Sequence, residues 1–131
     1  MNELDLVVDS YAWIEYFLGS EKGEKLRILM KNSKNNFLTV EPCLAELHGW
    51  TLRENINFNE IYRVLISNSS IVPVFAEDWI QAGRERHEQR KRMKDFGLID
   101  SVILTKQKQI GCKLITGDKH FNGLKNIILM K

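Results

Sequence analysis

Short apolar runs alternate along this chain with longer stretches whose apolar residues recur at helical spacing. Residues 4–8 (LDLVV), 36–40 (NFLTV), 70–75 (SIVPVF), 112–116 (CKLIT) and 127–130 (IILM) are rich in Val, Ile and Leu and bounded by polar segments, which predicts five short strands. Pro73 favours an edge position for the third of them. Between the runs lie helical patterns. Asp9-Ser10 opens YAWIEYFLG, which Gly19 ends, and Ser20 is placed to cap EKGEKLRILMKN, with Leu26, Leu29 and Met30 as its apolar residues. Pro42 sits where a first helical turn tolerates it, leading into CLAELHGWTLRE. Residues 58–69 (FNEIYRVLISNS), a long polar stretch over 76–94, and LIDSVILTKQKQ after Phe96-Gly97 complete the set, with Gly111 closing the last. Strands alternating with helices long enough to cross over predict a three-layer α/β/α sandwich around a central parallel sheet, in a single domain spanning 1–131.

Composition narrows the class without naming a function. At 131 residues the chain supports one hydrophobic core and not two. Its net charge of +2, from 19 basic and 17 acidic residues, is too small to argue for nucleic-acid binding, so any such footprint must come from local clustering. The two cysteines, Cys43 and Cys112, stand far apart with no zinc-finger spacing, which predicts buried free thiols. The start, MNELDLVVDS, carries acids before a short apolar run and does not read as a signal peptide, and no stretch has the length of a membrane span. A cytoplasmic protein with no membrane partner is the expectation.

Four carboxylates carry the chemistry: Asp9 after LVV, Glu46 in PCLAELHGW, Asp100 in GLIDSVIL and Asp118 in KLITGDKHF. Each has an ordinary structural reading. Asp9 can cap the following helix, though Ser10 can cap equally well; Asp100 can cap SVILTKQKQ; Asp118 can serve the turn TGDK. Glu46 differs, because on a helical wheel it borders the apolar face of Cys43, Leu44, Leu47 and Trp50, while Glu41 and His48 fall on the opposite side. A carboxylate there needs a partner, either a metal or a cation such as Arg53 on the same helix. In an open α/β sheet, sites form outside the carboxyl ends of the strands. All four acids occupy that edge in the predicted order of elements. Four carboxylates at one edge cannot all stay ionised without a cation, so the pattern points to a divalent metal.

With those residues in place, the chain resembles the PIN domain family, and within it the small VapC-type toxins of toxin–antitoxin pairs. The segments that carry the resemblance are VVDSYAWIEYF, VEPCLAELHGW and GLIDSVILTKQKQIGCKLITGDKHF, which span most of the chain and hold the four acids in the family's order. The resemblance implies a Mg²⁺- or Mn²⁺-dependent ribonuclease using one or two ions, with Asp9, Glu46, Asp100 and Asp118 as the metal-binding and catalytic acids. It also implies an RNA substrate, a small antitoxin partner and a homodimer. Ser10 matches the hydroxyl residue that often follows the first Asp, and Thr116 the Thr of the TxD motif; both would fix carboxylate rotamers. Two departures stand out. Where many members carry a further acid two residues after the last Asp, this chain has His120, which bears on how a second ion would be held. After Asp100 it reads SVIL in place of a small-residue run, a difference of packing.

Substrate contact needs other residues. Arg84, Arg86, Arg90, Lys91, Arg92 and Lys94 crowd RERHEQRKRMK just before the Asp100 motif. Such a run is either a solvated helix face with internal ion pairs or a path for RNA phosphates toward the acids. Tyr11, Trp13, Tyr16 and Phe17 lie in an apolar helix and read as core, as do Trp50 and Trp79. His48 and His87 read as surface residues, and only His120 is near a candidate acid in sequence. Three rival readings stand beside the toxin: a PIN-type RNA-processing nuclease without an antitoxin, an inactive PIN scaffold that binds RNA or protein, and a receiver-like signalling domain. The last would need an acceptor Asp closing its third strand, where SIVPVF is followed by Ala76 and Glu77.

Overall fold

In the computed structural model, which describes residues 4–130, the apolar runs form β1 (Asp5–Val8), β2 (Asn36–Val40), β3 (Ser70–Val72), β4 (Lys113–Thr116) and β5 (Ile127–Leu129). They make one parallel sheet, as the alternation predicts, and its strand order is β3-β2-β1-β4-β5. The helices are α1 (Ser10–Leu18), α2 (Glu21–Met30), α3 (Cys43–Arg53), α4 (Phe58–Asn68), α5 (Ala76–Gln89) and α6 (Leu98–Ile110), with a 3-10 turn at Lys119–Phe121. β3, with Pro73 just beyond it, is an edge strand.

The central strands read as continuous apolar runs because both of their faces are buried. Val7 of β1 and Leu114 of β4 point into one core with Ala82, Phe96, Val102, Ile103 and Phe121. Their neighbours Leu6, Val8 and Ile115 point into the other, with Ala12, Trp13, Leu26, Leu47 and Leu65. The first core lies beneath α5 and α6, and the second beneath α1 to α4. Trp13 anchors the second: it is fully buried, stacks on Phe17, and donates from Nε1 to Thr39 Oγ1 at 3.0 Å. α1 and α2 approach so closely at Gly23 that a Cβ there would run into the Glu15 carbonyl and the Tyr16 backbone. Cys43 and Cys112 are free and buried.

Two expectations need correction. The polar helix expected over 76–94 stops at Gln89, and beyond it Arg90 and Arg92 spend their side chains on the loop carbonyls of Phe96 and His120. Trp79 is 40% exposed and not core, since the inward stripe of α5 is Asp78, Ala82 and Glu85. Of the two residues able to cap α1, Asp9 is the N-cap. Among the described residues, no helix is long and apolar enough to cross a membrane.

The chain leaves β1 toward β2 on one side, and returns to place β4 on the other. The carboxyl ends of β1 and β4 therefore flank the point where the winding reverses, which is where an open α/β sheet leaves a crevice.

Candidate metal centre

Both acids that follow these two strands meet in that crevice. Asp9 is 3% exposed, and both of its oxygens are engaged. Oδ1 accepts the Ala12 N–H at 2.9 Å and Oδ2 accepts the Thr116 hydroxyl. Thr116 Oγ1 in turn accepts the Asp118 N–H at 2.9 Å, so one threonine joins the first and last acids. Asp118 caps the 3-10 turn by accepting the His120 N–H at 2.9 Å. Gly117, between them, has no side chain because the Tyr11 ring occupies the space a Cβ would need. That places Tyr11 half-buried beside the site, a correction to its reading as core.

Asp100 comes from the first turn of α6, where its carboxylate reaches back to the Gly97 amide; Gly97, not Asp100, is the cap. Glu46 comes from the first turn of α3 and accepts the Ser10 hydroxyl at 2.7 Å. The residue as a whole is exposed, unlike the half-hidden margin the wheel suggests, and among the described residues no ion pair joins it to Arg53. The structural readings and the site are thus not alternatives. Asp9 and Asp118 cap local structure and face the crevice together.

Electrostatics mark the group as strained. Burial, then the charges of Asp118 and Asp100, push the Asp9 carboxyl up to about 7, against the opposing pull of its Thr116 and Ala12 hydrogen bonds. Glu46 is raised by reduced solvation and by Asp100 and Asp118, with Ser10 opposing. Asp100 is raised by burial and by Asp118, with His120 opposing. Among the described residues, no lysine or arginine pairs with any of the four. The His120 ring is the one basic group among the described residues that contacts the set, through Asp100 and Asp118. Asp100, Asp118 and His120 bring donor atoms within 4.8 Å of one another, so carboxylate oxygens and an imidazole are close enough to share one divalent ion. Asp9 and Glu46 stand outside that tight trio but within electrostatic reach of it.

Sequence reasoning singled out His120 as the histidine near Asp118 and passed over Asp95. His120 Nδ1 lies 3.0 Å from Asp100 Oδ2 and 3.4 Å from Asp118 Oδ1, while Nε2 lies 3.1 Å from Asp95 Oδ2. Loss of solvation opposes protonation of the ring, but Asp95 and Asp100 outweigh it and raise the His120 pKa. The only sequence signal was the imidazole standing where the family pattern often has an acid.

The basic segment divides in two. Arg90 donates to the Phe96 carbonyl at 2.9 Å, and Arg92 to the His120 carbonyl at 2.6 Å, so both hold loops around the site. Lys91 pairs with Glu88 at 3.2 Å. Arg84 and Lys94 are exposed and Arg86 half-buried, with no such contacts, and these keep charge available to a partner.

Among protein families, the PIN domain matches residues 6–126. No curated protein matches significantly. Solved structures match over nearly the whole chain. The Mycobacterium tuberculosis toxin VapC20, described as cleaving the sarcin-ricin loop, aligns with a TM-score of 0.77 at 14% identity, covering 96% of this chain and 99% of that one. A toxin–antitoxin complex from Klebsiella pneumoniae aligns at 0.71 and 15% identity over 96% and 98%. VapBC2 from Rickettsia felis, bound to a DNA fragment from its promoter, aligns at 0.70 and 19% identity over 95% and 96%.

Proposed function

This chain belongs to the PIN domain family, and from that premise we propose that it is a divalent-metal-dependent endoribonuclease, the toxin of a type II toxin–antitoxin pair. The observation that carries the reading is the meeting of Asp9, Glu46, Asp100 and Asp118 at the reversal point of the sheet, with three of the four raised in pKa and none paired to a lysine or arginine. A divalent ion, Mg²⁺ or Mn²⁺, would supply the positive charge that a phosphodiester needs at its attacked and leaving oxygens.

The chain's own residues supply the rest. Asp100 and Asp118 would hold the ion, with Asp9 completing the negative field from below. Thr116 and Ser10 lock the Asp9 and Glu46 carboxylates by hydrogen bonds, which lowers the cost of presenting them in one geometry. Glu46, raised above the ordinary carboxylate range and open to the crevice, would take the proton of the attacking water. Arg84, Arg86 and Lys94 would draw the RNA backbone toward the acids. A neighbour that cleaves the sarcin-ricin loop and another solved as a toxin–antitoxin complex support an RNA substrate and an antitoxin partner, while the homodimer rests on the family resemblance.

The test is cleavage of structured and unstructured RNAs with Mg²⁺, Mn²⁺ or EDTA, comparing wild type with Asp100→Asn. Cleavage should require the metal and disappear in the variant. Cleavage that persists in EDTA or in the folded Asp100→Asn protein overturns the proposal.

A further inference from the structure

The residue that departs from the family pattern is tied into the site by its backbone and its ring alike. The His120 N–H is held by Asp118 Oδ1, its carbonyl by Arg92, and its ring lies 6.2 Å from the Phe96 ring between Asp95 and Asp100. Little rotational freedom remains to that imidazole.

Hydrogen-bond direction then says what it faces. Carboxylates only accept, so in the ion-free chain the Asp95 oxygen 3.1 Å from Nε2 and the Asp100 oxygen 3.0 Å from Nδ1 each call for a ring N–H. A divalent ion would take the place of the Nδ1 proton, beside Asp100 Oδ2 at 3.0 Å and Asp118 Oδ1 at 3.4 Å, and leave the Nε2 proton on Asp95. Nδ1 and the two carboxylates bring their donor atoms within 4.8 Å of one another, an arrangement that a positive charge between them makes favourable. A histidine that donates its far N–H to a carboxylate while its near nitrogen meets other donors has the arrangement of a metal ligand with its orienting partner.

We propose that His120 binds the site's divalent ion directly through Nδ1, alongside Asp100 and Asp118, with Asp95 as the positioning residue that fixes its tautomer. This rests on reading the crevice as a metal centre, and it deepens that reading by setting metal preference. Mg²⁺ favours oxygen donors and retains its waters, whereas imidazole suits transition metals. Replacing an acid by His120 therefore biases the site toward Mn²⁺.

RNA-free full-length protein, titrated calorimetrically with Mn²⁺ and with Mg²⁺, tests this together with pulsed EPR of the Mn²⁺ form. The wild type should bind Mn²⁺ at least about tenfold more tightly than Mg²⁺ and show ¹⁴N imidazole coupling to the ion. His120→Ala should lose the coupling and about tenfold in Mn²⁺ affinity, while Asp95→Asn keeps the coupling and weakens Mn²⁺ binding by up to about tenfold. His120→Asp should shift the preference toward Mg²⁺. The wild-type EPR spectrum needs no variant, and thermal melts establish that each variant is folded. Mn²⁺ binding without ¹⁴N coupling, or with a preference unchanged in folded His120→Ala, overturns the role of His120 and leaves the metal centre standing. Failure of both ions to bind wild type overturns the metal centre as well.

Discussion

Replacing Asp9 by Asn should make the metal-free protein more stable relative to wild type as pH rises. The folded carboxyl titrates at about 7 against an ordinary value of 3.8, so the unfolded chain gives up this proton first. A raised carboxyl contributes stability that is fully present below 3.8 and is lost as pH climbs to about 7. From pH 5 to pH 8 the titration spans two units up to the folded value of about 7, which at about 1.4 kcal/mol per unit costs wild type about 3 kcal/mol. Asn does not titrate. Its Oδ1 still accepts the Ala12 N–H, but its Nδ2 faces Thr116 Oγ1, which already accepts from Asp118 N, so the threonine hydroxyl proton loses its acceptor. That penalty, about 1–3 kcal/mol, is independent of pH. Glu46 and Asp100 also titrate, but in both proteins, so the difference between them reports Asp9 together with its coupling to the neighbouring acids. The assay is thermal unfolding followed by circular dichroism, in EDTA, at pH 5 and pH 8. The gap in Tm should move in favour of Asp9→Asn by about 10 °C. A gap that stays constant with pH would show that Asp9 ionises normally, and the argument from burial would fail.

The same residue, though its ionisation costs the fold stability, should be needed for activity: Asp9→Asn is expected to lose RNA cleavage while remaining folded, and full metal-dependent activity in it refutes the site. Gly23→Ala should cost about 1–3 kcal/mol in urea unfolding, because a Cβ at that point meets backbone and not a movable side chain; a change below about 0.5 kcal/mol denies the close approach of α1 and α2. Arg84→Gln with Lys94→Gln should lower the slope of log binding constant against log salt for single-stranded RNA by about 0.7 for each phosphate no longer neutralised. An unchanged slope returns these residues to a solvated face. Acid unfolding should contain a contribution from Asp78, whose carboxyl is held down at about 2 by the Phe75 N–H first, then by Gln109 and Lys106. A depressed carboxyl stabilises above the ordinary 3.8 and loses that contribution as pH falls toward 2, so Asp78→Asn should flatten this part of the curve. Identical acid limbs in the two proteins contradict it.

Strands were legible because a buried parallel sheet demands apolar residues on both faces, and LVV and LIT supply them without interruption. The order of the acids was legible for a related reason: strand ends are visible, and the crevice lies at strand ends. What failed depended on surfaces without an apolar pattern. α5 buries Asp78, Ala82 and Glu85, a stripe with only one apolar member, so hydrophobic spacing gave no hint of which way Trp79 faced. Its end at Gln89 was hidden because Arg90 to Lys94 have good helix propensity, and only the carbonyls of Phe96, in the loop just ahead, and of His120, 28 residues from Arg92, draw two of them away. Asp95 and His120 are 25 residues apart, and nothing local announces that they meet.

Two buried aspartates show why burial alone does not reveal a site. Asp78 at 6% exposure and Asp9 at 3% are nearly equally hidden, and each is an N-terminal feature of a helix. Their titrations are displaced in opposite directions, to about 2 and to about 7. The distinction lies in what surrounds them. Asp78 receives a backbone N–H, an amide and the Lys106 ammonium at 3.0 Å, so its charge is answered within the fold. Asp9 receives one N–H and one hydroxyl, and beyond them two further carboxylates. A fold with a lysine to spare for Asp78 leaves Asp9, Asp100 and Glu46 raised together, which is costly in the isolated chain and becomes favourable once a cation binds. The uncompensated charge, more than the number of acids, therefore separates a candidate metal centre from a set of helix caps. On this criterion the metal-free protein should gain thermal stability from divalent cations. Asp9→Asn, which removes part of the negative field, should gain less. An equal gain in both would mean that the ion binds elsewhere.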